Sequence, residues 1–95
     1  MRIESTQAFR EWIDGLRDLA GRARVQARVE RLASGNPGMH RALSEGVCEL
    51  KIDTGPGYRV YYVQRGRVII VLLAGGNKST QRKDIAHAIA LAKNL

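Results

Sequence analysis

Three cations stand where strand geometry could gather them: Lys51, Arg59 and Lys78. Lys51 lies in the alternating run Val47-Cys48-Glu49-Leu50-Lys51-Ile52. Arg59 opens the next run, Tyr58-Arg59-Val60-Tyr61-Tyr62-Val63, and Lys78 follows Gly75-Gly76-Asn77. Successive side chains of a strand point to opposite faces, so a core-facing Cys48, Leu50 and Ile52 put Glu49 and Lys51 on the other side. With Val60 and Tyr62 facing the core, Arg59 and Tyr61 share that second face, which is expected to be open. Fixed cations beside a reacting phosphate stabilise the charge that develops on a phosphorane. The pattern points to a phosphate site lined by Lys51, Arg59 and Lys78, although scattered solubilising charge would produce the same triplet.

Other chemistries have less support. His40 and His87 are far apart, with no cysteine or second histidine at ligand spacing, so no metal site is expected. Gly75-Gly76-Asn77-Lys78-Ser79 lacks the spacing of a P-loop or a dinucleotide fingerprint and reads as a turn from strand to helix. No nucleophile elbow accompanies the serines. The single cysteine, Cys48, cannot form an internal disulfide and reads as a small buried hydrophobe.

The elements that must position these residues follow from periodicity. Residues 2 to 5 form a short edge strand. From Thr6, the residues Phe9, Trp12, Ile13 and Leu16 recur at helical spacing until Ala20-Gly21. A second helix from Arg22 carries Val25, Val29 and Leu32 on one face and Arg24, Arg28 and Arg31 on a neighbouring, solvated one, and stops at Ser34-Gly35-Asn36-Pro37-Gly38. The period then changes to two. The runs 47–52 and 58–63 are joined by Gly55-Pro56-Gly57, and a hairpin at Arg65-Gly66 leads into Val68-Ile69-Ile70-Val71-Leu72-Leu73, a continuous apolar run typical of a central strand covered on both faces. Ser79-Thr80 can cap a last helix whose buried stripe is Ile85, Ala88, Ile89 and Ala92. The order β-α-α-β-β-β-α predicts one α+β domain over residues 1–95, with helices packed on a twisted antiparallel sheet.

Composition narrows the function classes. The 95 residues allow one modest core and not two. No apolar run approaches the ~20 residues needed to span a bilayer, and Met1-Arg2-Ile3-Glu4-Ser5 has no signal-peptide pattern, so the expected location is the cytoplasm. Sixteen Lys and Arg against nine Asp and Glu give a formal charge of +7, which fits a polyanionic partner such as nucleic acid. Five aromatic residues, Phe9, Trp12, Tyr58, Tyr61 and Tyr62, are too few for a stacking platform.

The stretches Glu49-Leu50-Lys51-Ile52, Gly55-Pro56-Gly57-Tyr58-Arg59-Val60-Tyr61 and Leu72-Leu73-Ala74-Gly75-Gly76-Asn77-Lys78-Ser79-Thr80-Gln81 closely resemble the addiction-module killer proteins, a phage-related HigB-like branch of the RelE/ParE superfamily. Phe9-Arg10-Glu11-Trp12 and Asp84-Ile85-Ala86-His87-Ala88 extend the likeness across the chain. The resemblance implies the same β-α-α-β-β-β-α fold. It also implies a type II toxin, silenced in a hetero-oligomer by a HigA-like helix-turn-helix antitoxin, that enters the ribosomal A site and cleaves mRNA without metal or cofactor. Carried over, Lys51 serves as base or charge stabiliser and Arg59 steadies the transition state. Lys78 occupies a position that is arginine in RelE, keeping the charge but losing the bidentate fork. The implied RNA-binding set is Lys51, Arg59, Tyr61, Lys78 and Arg82. Glu49 replaces a RelE lysine, and the family's aromatic general acid falls near Asp84, which leaves Tyr61, Glu49 and His87 as candidate acids. The alternatives are a ParE-like toxin that poisons DNA gyrase without chemistry, and a binding module without toxicity.

Overall fold

Asn, Asp and Thr side chains set where the helices begin. In a computed structural model describing residues 1–95, β1 spans Arg2–Ser5 and α1 Gln7–Gly15. Thr6 caps α1 by accepting from the Phe9 amide at 3.1 Å. Asp18 caps α2, Leu19–Ala33, accepting from the Gly21 amide at 3.0 Å. The break between the helices therefore falls at residues 16–18 and not at Ala20-Gly21, because the Asp18 cap starts a new helix before the glycine. Gly21 lies inside α2 for another reason: a Cβ there would stand 2.5 Å from the Tyr58 ring. The Tyr58 hydroxyl donates to Asp18 at 2.8 Å, tying the start of α2 to the sheet.

The strands are β2 His40–Ala42, β3 Val47–Ile52, β4 Tyr58–Arg65 and β5 Ile69–Asn77, ordered β1-β5-β4-β3-β2. The expected meander is present, but the sheet is mixed, because β1 pairs with β5 in parallel. The strand β2 is additional to the expected order and pairs with β3 as an antiparallel edge. Its hairpin turns at Glu45 and Gly46, which both have positive φ, as a type I′ turn requires. The strand β5 runs through Gly75-Gly76 instead of ending before it. A Cβ on Gly75 would stand 2.1 Å from the Trp12 ring on one face, and one on Gly76 would stand 1.8 Å from Asp84 on the other. The two glycines thus let α1 and the last helix pack directly against the strand. The Asn77 side chain accepts from the Ser79 and Thr80 amides and caps a 3₁₀ turn, Lys78–Thr80. It takes the capping place expected of Ser79-Thr80. The last helix, α3, spans Gln81–Lys93.

Both faces of the sheet are covered. Phe9, Ile13, Val25 and Leu32 of α1 and α2 pack on Leu50, Ile52, Tyr58, Val60, Tyr62, Ile70 and Leu72, with the half-buried Cys48 at the margin. On the other face Ala88, flanked by Ile85 and Ile89, packs on Val47, Tyr61, Val63, Val71 and Leu73. Ala88 is the one fully buried residue of α3, and the half-buried Ile85 and Ile89 beside it complete the stripe that seats the helix on the sheet. The second face is consequently not the open one expected, and Glu49, Arg59 and Tyr61 are buried on it. No helix of the structure is long and apolar enough to cross a membrane.

Candidate anion-binding cleft

Register brings Lys51 and Arg59 side by side as partners across β3 and β4. Beyond the end of α3 that starts at Gln81, the sheet is uncovered. There the two residues line a cleft of about 440 Å³ with Met39, His40, Arg41, Glu49 and Gln81. Arg28 of α2 steadies this corner. Its guanidinium donates to the carbonyls of Lys51, Pro37 and Met39 at 2.7, 2.9 and 3.0 Å. Arg28 therefore belongs to the framework, unlike the solvated row expected of α2, and its pKa is lowered by burial and then by Arg31.

Two guanidiniums here, those of Arg28 and Arg59, have a buried Nε without an acceptor, and Arg59 is the more deeply enclosed. Only 4% exposed, it takes part in none of the three ion pairs, which join Arg2 to Glu4, Arg22 to Asp14 and Arg41 to Glu49. Its Nη1 donates to the carbonyls of Gly57 and Tyr58 at 3.0 and 3.2 Å, while its Nε has no acceptor. Gly57, at φ +77°, makes this possible, since a Cβ there would crowd Arg59 Nη1 at 3.3 Å. A buried guanidinium facing carbonyls alone is held at a cost that an incoming anion would offset.

The acid in the cleft is already engaged. Glu49, 2% exposed, accepts from Arg41 Nε at 2.7 Å and from Gln81 Nε2 at 2.9 Å, linking β2, β3 and α3. Burial alone would push its carboxyl up. Those bonds outweigh it and hold the group below the ordinary carboxylate range. Counting Arg41, Lys51 and Arg59 against Glu49, the cleft carries a net charge of +2.

The remaining expected site residues divide. Lys78 is exposed on the 3₁₀ turn. It lies outside the cleft lining and borders Gly57, where a Cβ would lie 3.3 Å from both Lys78 Cβ and Arg59 Nη1. Arg82 is exposed but outside the lining, and its neighbour Gln81 takes the place in the cleft. Tyr61 is corrected from a contact residue to a buried one, because α3 covers it. Its hydroxyl has no hydrogen-bond partner, and burial, followed by the nearby Glu49 charge, raises its pKa far above the usual phenol value. As candidate acids, Tyr61 is sealed, Glu49 is held ionised, and His87 is exposed on α3 away from the lining. His40 stands at the rim, yet its register opposite Leu50 turns it to the other face, where it borders a hollow with Cys48 and Tyr62.

Sequence reasoning missed Met39, Arg41 and Gln81. The signal for the first two was the turn at Glu45-Gly46, obscured because glutamate replaces the asparagine or aspartate usual there. Gln81 is found only once α3 is known to end over the sheet.

Fold and cleft together define a small basic α+β domain, consistent with the RelE-like fold, whose cleft carries a net positive charge. Residues 11–95 match the family described as "Phage derived protein Gp49-like (DUF891)", and the chain belongs to that family. The family is in general one of RelE/HigB-like toxins, a membership compatible with the toxin of a toxin–antitoxin pair. A Haemophilus influenzae protein named "Uncharacterized protein" is 43% identical over 95 residues, which cover 100% of this chain and 96% of the relative.

Proposed function

We propose that the chain is a type II toxin that cleaves mRNA on the ribosome, with the Lys51–Arg59 cleft as the place where the scissile phosphate is held. The observation that carries the reading is Arg59, a buried guanidinium without a carboxylate and with an unused Nε–H. In the reaction the RNA 2′ oxygen forms a bond to phosphorus and gives its proton to water, and the bond to the 5′ oxygen breaks as that oxygen takes up a proton, leaving a 2′,3′-cyclic phosphate and a 5′-hydroxyl. Arg59 and Lys51 stabilise the charge on the phosphorane, and Lys78 and Arg82 steer the flanking backbone towards the cleft. No cleft side chain is placed as the proton donor, so ribosomal positioning of the RNA supplies much of the rate and the leaving oxygen is protonated from outside the cleft. The partners under this reading are the ribosome, mRNA and a helix-turn-helix antitoxin.

The test is 5′-end mapping of cellular mRNA after brief induction of the chain alone, beside Lys51→Ala/Arg59→Ala. New ends inside translated codons that disappear in the variant are expected. Growth arrest with intact mRNA would replace this mechanism with the gyrase reading, and harmless induction would leave only a binding module.

A further inference from the structure

The largest hollow on the molecule lies away from the cleft. It is a groove of about 720 Å³ between α2 and the segment after β3, lined by Ala20, Ala23, Arg24, Ala27, Arg28, Arg31, Ile52, Asp53 and Thr54. Ala20, Ala23 and Ala27 are exposed and recur at helical spacing, making a floor of methyl groups about 10 Å long. Side chains this small allow a second helix to approach to the ~8 Å interaxial distance of close packing. Arg24 and Arg31 flank this floor and belong to none of the ion pairs, whereas Asp53 is the one acid in the lining. Arg28 gives both of its Nη atoms to three backbone carbonyls, and its Nε is buried without an acceptor.

We infer that this groove docks an acidic amphipathic helix of a partner protein. Apolar residues of the partner lie along Ala20, Ala23 and Ala27, and its carboxylates meet Arg24 and Arg31. Nucleic acid fits the groove less well, because an alanine and Ile52 floor would desolvate phosphates without hydrogen-bonding them, and no aromatic side chain is there to stack a base. The inference deepens the toxin reading, on which the identification of the partner as the antitoxin rests. The groove also adjoins the cleft framework, since the Arg28 that borders it holds the Lys51 and Met39 carbonyls. A helix seated there stands beside the cleft without entering it, so partner and phosphate occupy separate sites.

The experiment is a pair of NMR titrations of the isotopically labelled full chain. One uses a designed peptide of about 20 residues with leucine along one helical face and glutamate flanking it. The other uses inorganic phosphate. The peptide is expected to shift the amides of Ala20, Ala23, Ala27 and Thr54 and to spare Arg59, while phosphate does the reverse. Arg24→Glu/Arg31→Glu should weaken the peptide by roughly tenfold or more and leave phosphate binding unchanged. Ala27→Trp, at an exposed position, should block the groove without touching its charge. Equal binding of a scrambled peptide of the same composition would overturn the proposal, as would displacement of the peptide from the α2 amides by a short RNA. Peptide binding without any phosphate response at Arg59 would retire the cleft reading and leave the groove assignment standing.

Discussion

If Arg59 is held buried for an anion, then an anion should stabilise the fold through Arg59. The perturbation is Arg59→Met, which keeps most of the aliphatic stem and removes the charge. The guanidinium of the native chain has an Nε–H with no protein acceptor and lines the cleft. A hydrogen bond to a charged group is worth about 1.5–3 kcal/mol, so losing it lowers anion affinity by roughly 10- to 150-fold. With a dissociation constant on the order of 10 mM for phosphate, 100 mM phosphate stabilises the native chain by about 1.4 kcal/mol by mass action. For a domain of this size that is a rise in Tm of roughly 6–11 °C. In Arg59→Met the same phosphate contributes about 0.4 kcal/mol or less, a rise of no more than about 3 °C. The assay is thermal unfolding in phosphate against chloride of equal ionic strength. Phosphate also favours burial generally by exclusion from protein surfaces, an effect common to both proteins that cancels in the comparison. Equal phosphate-induced rises in the two proteins would refute the reasoning, because the anion would then not be using Arg59.

Three further outcomes follow from the same geometry. Glu49 has a folded pKa below its unfolded value, so the stability it adds is fully present above about pH 4.3 and is lost as pH falls through the folded pKa. Melting curves of the native chain and Glu49→Gln should therefore differ at neutral pH and converge in acid, and a constant gap would contradict the pairing. Gly75→Ala must displace the Trp12 ring, which stands 2.1 Å from where the new Cβ would be, and should cost about 1–3 kcal/mol in urea unfolding. Glu45, the one residue other than glycine with positive φ, should gain roughly 0.5–1 kcal/mol on Glu45→Asn, because asparagine accepts the left-handed conformation of a type I′ turn more readily. An unchanged midpoint for that variant would show that the glutamate carries no turn strain.

Much of the fold was legible because alternation and helical spacing report burial directly. The runs 47–52 and 58–63 paired as their spacing implied, and Lys51 met Arg59 across the hairpin. The helix boundary at Asp18 and the edge strand at His40 were not legible. A capping aspartate resembles any loop acid until the chain around it is seen, and a three-residue exposed strand has no apolar period to read.

The error about the open face has a more instructive cause. The run Val68–Leu73 read as a strand covered on both sides, and β4, its neighbour in the sheet, then had to be covered on both sides as well. The apolar stripe of α3 needed a surface, and only the face bearing Tyr61 and Val63 remained for it. Followed through, that logic places Arg59 at the margin of the α3 footprint, where a cation loses water on one side and keeps access on the other. A guanidinium fully in solvent would bind phosphate weakly, in competition with water, and one fully enclosed would demand a carboxylate. Arg59 sits between those limits, with its Nη1 fixed by two carbonyls and its Nε left over. The helix that hides most of the second face thus withdraws water from Arg59, while its acid Asp84, which stands over Gly76 across the ladder from Arg59 and accepts from the Thr80 hydroxyl, makes no ion pair with it.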